Sequence, residues 1–204
     1  MTQLQLNEDQ RDALQEVTNI AMGQAASKLA ELLNSFVEIS IPRIKQPPPN
    51  EVGQAVTEMV GMGTLVSAVR QSFMGEMQGE ALIIYGQEGC NDLADLMGYE
   101  SDIDPSSEME LLLDIGNILI GACLNGIAEV LHSSLSFTAP SLLAHKALVD
   151  NLIKPEHLAL KNALLIEVNY RLHQRNFYCH MVALMPDEAI ERLQVSVDHF
   201  LESF

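Results

Sequence analysis

The sequence lacks tryptophan, and only 5% of its 204 residues are aromatic. Because hydrophobic residues nevertheless make up 48% of the chain, its core must consist mainly of aliphatic side chains and methionine. A chain of this length can bury a substantial core, as one large domain or two small ones. Composition therefore predicts a folded globular protein rather than a disordered one.

Basic residues are also scarce. Eleven lysines and arginines stand against 28 aspartates and glutamates, which gives a formal net charge of −17. Binding to a nucleic-acid backbone or to an anionic membrane requires a basic patch. The eleven basic residues are scattered along the sequence. We therefore expect neither nucleic acid nor a membrane surface among the partners of this protein.

The sequence has few cysteines and no recognisable targeting segment. Cys90, Cys123 and Cys179 are far apart and lack the spacing of a zinc site, so we expect free, buried thiols in a reducing cytoplasm. The first ten residues have neither a basic start nor an apolar core, which argues against a signal peptide. The longest apolar run, 111–131, is interrupted by acidic and amide residues, which argues against a membrane span. These features predict a cytoplasmic protein.

Motifs of several enzyme classes are missing. A glycine-rich phosphate loop and the G-x-S-x-G motif of serine hydrolases are both absent. The histidines show neither H-x3-H nor H-E-x-x-H spacing, so no metal site is expected. These histidines are His132, His145, His157, His173, His180 and His199.

The predicted elements of the first half begin with a long amphipathic helix. It covers residues 7–35, with Asn7 as its N-cap and Gln10 as the capping-box partner. A strand over 37–44 carries Pro42, which suggests an edge position or a bulge. Asn50 is a candidate N-cap for a short helix over 51–59. The remaining elements are strands over 64–74 and 79–85 and a short helix over 91–97.

The same order of elements returns in the second half. A long helix covers 107–132, starting either from Asp104-Pro105 or from a capping box of Ser107 and Glu110. The further predictions are a strand over 137–143 with Pro140, a short helix over 145–153, strands over 163–172 and 177–184, and a last helix over 187–201.

This repeat, with an offset of about 98 to 100 residues, predicts an internal duplication. One half alone could bury little, whereas two halves can pair their strands into one sheet that helices cover. We therefore predict a single domain over 1–204, built of two repeats at about 7–98 and 105–201. The expected fold is α/β (α+β) and pseudo-two-fold. It has a shared mixed or antiparallel sheet of about six strands, with two long helices and shorter helices packed on it.

A stripe of polar residues recurs on the two long helices. In the first helix, the pattern D-x3-E-x2-N-x22-P consists of Asp12, Glu16, Asn19 and Pro42. In the second helix, the same spacing consists of Glu110, Asp114, Asn117 and Pro140. Because each helical residue turns the chain by about 100°, both stripes lie opposite the apolar face and should be exposed to solvent. A single charged stripe is usually only a solvated surface. The recurrence of the asparagine, a middling helix former, and of the distant proline favours a function.

A glycine follows one turn after each asparagine, on the same face of the helix. These residues are Gly23 and Gly121. Glycine inside a helix costs about 1 kcal/mol relative to alanine, so a matched pair calls for a reason. Either the two glycines reflect drift or close packing against a neighbouring element, or they leave room for a partner's backbone or a phosphoryl group.

The spacing, the residue types and the duplication together resemble the CheC/CheX/FliY family of bacterial chemotaxis phosphatases, and the two motif copies resemble CheC most. The resemblance covers residues 7–201. It implies hydrolysis of the aspartyl phosphate of a CheY-like receiver, which brings its own Mg²⁺, so that no cofactor is required on this chain. It also implies that Asn19 and Asn117 orient the attacking water. Glu16 would then pair with a receiver lysine.

The resemblance implies further roles and leaves alternatives. Asp114 takes the place of Glu16 in the second copy, where the shorter side chain puts activity in doubt. Asp12, Gly23, Glu110 and Gly121 are expected to contact the partner. The first alternative function is a non-catalytic adaptor that binds a receiver or a CheD-like deamidase. A structural component of the flagellar switch would need an additional domain, for which we expect no room. Both a monomer and a homodimer are compatible with two motif copies in one chain.

Overall fold

A computed structural model describes residues 5–87, 90–98, 104–153 and 164–202. Its helices are α1 (Glu8–Leu33), α2 (Val52–Val60), α3 (Cys90–Leu96), α4 (Pro105–Val130) and α5 (Asp187–Glu202). Its strands are β1 (Val37–Ile39), β2 (Arg43–Lys45), β3 (Leu65–Gly75), β4 (Gly79–Gly86), β5 (Leu135–Phe137), β6 (Ser141–Leu148), β7 (Leu164–Leu172) and β8 (Tyr178–Met185). Two 3-10 turns, Pro49–Glu51 and Val149–Asn151, complete the described elements.

The described strands form one eight-stranded sheet. Its order is β1-β7-β8-β4-β3-β5, with β2 also paired to β7 and β6 also paired to β3. Every pairing is antiparallel. The hairpins of the two halves meet where β4 lies beside β8, and Leu82 is opposite Val182 in the middle of that pair. The edge strands of each half pair with the hairpin of the other half. The predicted fold class, a pseudo-two-fold α/β unit with a shared sheet, is thus confirmed.

The sheet has two more strands than the sequence predicted, because each edge strand is divided in two. Residues 40–42 separate β1 from β2, and residues 138–140 separate β5 from β6. Pro42 and Pro140 each stand directly before the second segment. A proline cannot donate a ladder hydrogen bond, so an edge break is a position that it tolerates. The predicted edge position of Pro42 is therefore correct.

The short helix predicted over 145–153 is wrong. β6 continues to Leu148, and only Val149–Asn151 form a single 3-10 turn. The register between β3 and β6 shifts near Ala68, which indicates an irregular pairing. Lys146 adopts a left-handed φ of 50°, and its backbone N–H donates to Ser67 Oγ at 3.2 Å. Pairing with β3 thus overrides the weak helical preference of this stretch.

The starts of the long helices follow the expected capping chemistry. Asn7 and Gln10 form a reciprocal capping box at α1, with 2.8 Å between Gln10 N and Asn7 Oδ1. Of the two starts considered for α4, the structure has Asp104 as N-cap, followed by Pro105 in the first turn. The cap predicted at Asn50 is wrong, because a 3-10 turn precedes α2 and no side chain caps it.

The two faces of the sheet bear helical layers of different size. Alternate residues of β3 and β7, such as Val69 and Val168, pack in the main core with α1 and α4. The Tyr85 hydroxyl, from β4, donates to the Leu112 carbonyl of α4 at 2.8 Å. The opposite face carries a smaller core under α2 and the second 3-10 turn. The long helices, which carry both polar stripes, therefore lie together on one face.

Helix α4 is long and apolar enough to cross a membrane by composition alone, and 67% of its most apolar window is buried inside the protein. Packing against the sheet and α1 accounts for this apolar character. Cys123 of α4 and Cys179 of β8 are free and fully buried, as predicted for these two thiols. Burial raises the pKa of Cys123 to about 12, so this thiol stays protonated at neutral pH. The Cys90 side chain and His157 lie outside the described residues.

The two long helices approach most closely at a glycine. A Cβ added to Gly126 of α4 would lie 2.8 Å from Ala21 Cβ and 3.0 Å from Ala21 Cα on α1. Contacts this short with a backbone atom require the helices to separate. A pseudo-two-fold axis runs between the antiparallel strands β4 and β8 and relates the two repeats. It also relates α1 to α4, so these two helices are antiparallel. Gly126 therefore sets how closely α1 and α4 pack.

We predict that Gly126→Ala lowers the free energy of unfolding by about 1–3 kcal/mol, the usual cost of overpacking a close contact. Gly121→Ala, on the same helix, is the matched control. A Cβ there meets nothing within 4 Å, so the helical preference of alanine should raise stability by about 0.5–1 kcal/mol. Urea denaturation of the two variants measures both changes. Equal stabilisation by both substitutions would contradict the close approach at Gly126.

Candidate functional site on the two long helices

The first stripe is presented by α1 on the side away from the sheet. Leu14, Val17 and Ala21 are fully buried, and they fix the rotation of the helix. Asp12, Glu16 and Asn19 are consequently all exposed, as the helical spacing predicts. Their carboxylates and carboxamide form a row along the outer surface of the helix. The stripe is thus held on a rigid element and is accessible from solvent.

The second stripe has the same relation to its own helix. Leu112, Ile115 and Leu119 of α4 are buried against the sheet and α1. The outward-facing residues of the row are exposed, and these are Glu110, Asp114 and Asn117. The structure therefore brings together the three residues of each copy.

The two copies are separate sites rather than one composite site. Asn19 precedes the helix contact at Ala21 by two residues, and Asn117 precedes Gly126 by nine. Because the helices run in opposite directions, the two asparagines are about 16 Å apart along the helix axes, at a rise of about 1.5 Å per residue. Each site therefore has one asparagine.

The four acidic residues of the stripes have no partner within the described part of the chain. None of the ion pairs formed there involves Asp12, Glu16, Glu110 or Asp114. Exposed acids commonly pair with nearby lysines or arginines on the same surface, although such pairs contribute little stability. These carboxylates are therefore open to a cation on another molecule.

The glycines beside the asparagines have open space over them. A Cβ added to Gly23 or Gly121 would meet nothing within 4 Å. By contrast, Gly116 and Gly126 of α4 lie in close contact with the sheet and with α1, respectively. Close packing against a neighbouring element is therefore excluded as the reason for Gly23 and Gly121. The space above them is compatible with clearance for a partner.

The prolines of the motif mark the edge breaks close to the stripes. Two residues before each proline, a serine or threonine forms hydrogen bonds between the end of the edge segment and the neighbouring strand. Ser40 N–H donates to Asn169 O at 3.0 Å, and Asn169 N–H donates to Ser40 Oγ at 3.1 Å. Thr138 and Ser72 make the corresponding bonds beside Pro140, at 3.1 and 3.2 Å. The proline spacing therefore reflects a repeated strand ending.

Sequence reasoning missed one residue at the second site. Gln71 of β3 is only 2% exposed, and its Nε2 donates to Asn117 Oδ1 at 2.8 Å. It points to the same side of β3 as Val69 and Phe73, which belong to the main core. A signal was present, because a polar residue in register with two apolar ones on a strand is unusual.

The histidines take structural positions where they are described. His173 Nδ1 is 2.9 Å from Glu38 Oε1, and His180 Nδ1 is 2.6 Å from Asn169 Oδ1. Burial lowers the pKa of His180. Among the residues that the structure describes, no three His, Cys, Asp or Glu side chains converge in a way that could hold a metal ion.

Comparison with known proteins finds similarity to chemotaxis proteins. The CheC-like family model matches residues 10–45, the segment that contains the complete first motif. The CheY-P phosphatase CheC of Bacillus subtilis is 25% identical over 202 residues, which cover 94% of this chain and 95% of that protein.

Solved structures show the same fold. Thermotoga maritima FliY superposes with a TM-score of 0.74 at 15% identity, over 97% of this chain and 100% of that one. The FliM middle domain from H. pylori superposes with a TM-score of 0.64 at 11% identity, over 94% and 99%.

The fold and the stripes define a duplicated α/β protein that presents an acid and an asparagine on each of two antiparallel helices. The comparisons support a relationship of this chain to the CheC/CheX/FliY family, through the CheC-like model over 10–45, the similarity to CheC over nearly the whole chain and the shared fold.

Proposed function

We propose that the protein is a chemotaxis phosphatase that hydrolyses the aspartyl phosphate of a CheY-like response regulator. The observation that carries this proposal is the exposed row Asp12, Glu16 and Asn19 on α1, in a chain similar over nearly its whole length to a CheY-P phosphatase. The enzyme and its receiver would meet in the cytoplasm. The fold alone does not select this function, because FliM shares it.

The proposed reaction requires few chemical groups from this chain. An acyl phosphate is already reactive, and the receiver would supply the phosphoaspartate and its Mg²⁺. Water forms a bond to phosphorus, the bond from phosphorus to the aspartyl oxygen breaks to release the aspartate carboxylate, and both hydrogens of the water go with the inorganic phosphate. What an outside protein can add is a water molecule aimed in line with the leaving oxygen.

Asn19 has the properties that this task requires. Its carboxamide is neutral, so it can bind water beside the phosphoryl oxygens without repelling them. It is exposed on a rigid helix, and no side-chain hydrogen bond engages it within the described residues. We assign the orientation of the attacking water to Asn19 at the first site and to Asn117 at the second.

Glu16 supports docking rather than chemistry. One turn before Asn19, its carboxylate is exposed and unpaired among the described residues, so it can pair with the receiver lysine beside the phosphorylation site. Asp12 extends the same row, and Gly23 leaves space beyond the asparagine. The acid and the asparagine would thus engage the receiver and its phosphoryl group together.

The second site differs in its acid. Asp114 is one methylene shorter than glutamate. Its carboxylate therefore lies more than about 1 Å short of the position that a glutamate carboxylate would reach. Glu110 stands where the first site has Asp12, and Gly121 repeats the clearance. We therefore rank the first site above the second in receiver binding and turnover.

The alternative is a non-catalytic adaptor that binds a receiver or a CheD-like deamidase, as a monomer or a homodimer. The shortened acid at Asp114 favours it for the second site. An adaptor would bind the phosphorylated receiver, yet the receiver would lose phosphate only at its own rate. Dephosphorylation and binding measured on the same receiver therefore separate the two functions.

We predict that Asn19→Ala combined with Asn117→Ala lowers receiver dephosphorylation by roughly 100-fold, because the attacking water loses its orientation. Phosphate release from CheY phosphorylated with acetyl phosphate measures the rate. Gln54→Ala is the matched control, because it removes an exposed carboxamide from α2 on the opposite side of the sheet. A double variant as fast as the wild-type protein would refute the assigned role.

Glu16→Ala is expected to weaken receiver binding by about tenfold, the cost of leaving a docked cation unpaired. Asp114→Ala should weaken it by about threefold or less, because the shorter acid docks poorly. Fluorescence titration with the beryllofluoride-activated receiver measures both dissociation constants. Glu58→Ala on α2 is the control for loss of one exposed negative charge. Equal effects of the two site variants would contradict the ranking of the sites.

Gly23→Leu should reduce turnover without lowering the melting temperature. The added side chain would occupy the open space over α1, where a Cβ meets nothing within 4 Å, and it would obstruct the receiver. Leucine is a better helix former than glycine, so the helix itself is not weakened. Thermal unfolding and the dephosphorylation assay test the two halves of this expectation. Turnover equal to that of the wild-type protein would show that the space is not used.

A further inference from the structure

A buried carboxamide lies directly behind the asparagine of the second site. Gln71 of β3 is 2% exposed on the sheet face covered by α4. Its Nε2 donates two hydrogen bonds of 2.8 Å, to Asn117 Oδ1 and to the Thr138 carbonyl. Its Oε1 is buried and has no hydrogen-bond partner. A buried amide oxygen without a partner is costly, so the two donated bonds determine how this side chain is oriented.

The Thr138 carbonyl fixes the direction of both amides. A carbonyl oxygen can only accept, so the NH2 group of Gln71, not its oxygen, must face it. The same NH2 group faces Asn117, which must therefore present its own oxygen inward. The reversed orientation of Gln71 would set its oxygen against the Thr138 carbonyl oxygen. Asn117 is thus held with Oδ1 toward the sheet and with its NH2 group away from that contact.

The first site lacks this restraint. The strand pairings on the two sides of the pseudo-two-fold axis show that the position in β7 equivalent to Gln71 in β3 is Val168. Val168 is fully buried, and its side chain has no hydrogen-bond donor. The backbone hydrogen bonds of the next residue correspond, because the Ser40–Asn169 bonds match the Thr138–Ser72 bonds. Within the described residues, the Asn19 carboxamide is therefore free to turn either end outward.

This difference bears on the attack of water. A water molecule that attacks phosphorus keeps a lone pair directed at the phosphorus atom and donates its hydrogens elsewhere. In a carboxamide, only the oxygen can accept such a hydrogen, whereas an NH2 group would donate to the water and compete for its lone pair. An asparagine whose oxygen is held toward the sheet by Gln71, and whose NH2 group is directed away from that contact, is therefore less suited to orient the attacking water.

We propose that Gln71 is a positioning residue that restrains Asn117 in an orientation unfavourable for turnover, so that the second site works below its capacity. This inference rests on the proposed phosphatase function. It adds a cause of site inequality that is independent of the short acid at Asp114, and it predicts that removing a residue outside the site raises activity.

The test uses Gln71→Val, which copies Val168, the equivalent residue beside the first site, in the Asn19→Ala background, where only the second site can act. We expect dephosphorylation of CheY phosphorylated with acetyl phosphate to rise about fivefold, a factor typical of releasing one hydrogen bond. Gln71→Met keeps the length of the side chain without a donor, and it should give a similar increase if the valine variant folds poorly. An unchanged or lower rate in a folded variant would overturn the proposal.

A second background separates this effect from a general change in structure. With Asn117→Ala and Asn19 intact, Gln71→Val has no carboxamide to release, so its effect on turnover should vanish. An equal increase in both backgrounds would overturn the proposal, because the effect would not pass through Asn117.

A readout without the receiver keeps the inference distinct from the proposed function. The side-chain 15N order parameter of Asn117 should be high in the wild-type protein and fall to the level of Asn19 in Gln71→Val. If the wild-type protein accelerates no receiver while this parameter falls, the phosphatase function fails and the restraint stands. If Asn117 is as mobile as Asn19 in the wild-type protein, the restraint itself is refuted.

Discussion

The antiparallel pairing of β4 with β8 is the interaction on which the rest of the structure depends. Six residue pairs, from Glu80 opposite Leu184 to Tyr85 opposite Cys179, join the two hairpins into one sheet. Without this pairing each half of the sheet would expose a long strand edge, that of β4 or that of β8, and would bury less apolar surface. The same pairing sets α1 and α4 side by side over one face. Their contact at Gly126 and Ala21 then fixes which sides of the helices face outward.

The burial pattern of the two long helices leaves both polar stripes accessible to solvent. Eleven of the 26 residues of α1 and thirteen of the 26 residues of α4 are buried in the protein, which leaves the outer side of each helix for polar groups. Exposed rows of this kind normally carry little constraint. Here the row carries acids without partners among the described residues and a glycine with nothing above it, which are properties suited to receiving another protein.

Sequence periodicity and capping chemistry predicted the architecture well because those signals are local. The capping box of Asn7 and Gln10 and the turns between paired strands depend on residues close together in the chain. The second part of β6, predicted as a helix, was missed because its conformation depends on β3, some 75 positions earlier. Gln71 was missed as a site residue for the same reason, since only the folded sheet brings it to Asn117. The stripes themselves could be found because a helix places i, i+4 and i+7 together.

The union of both halves in one polypeptide has a consequence for how such a protein can change. A symmetric assembly of two identical chains must repeat every substitution at both of its sites. One continuous chain can alter either site alone, and it assembles its sheet at any protein concentration because the halves are tethered. Gln71 occupies the position at the second site that Val168 occupies at the first, and Asp114 the position of Glu16. A homodimer of single halves could not encode these differences. Fusion thus permits one protein to hold a stronger and a weaker version of the same surface, each open to separate adjustment by mutation.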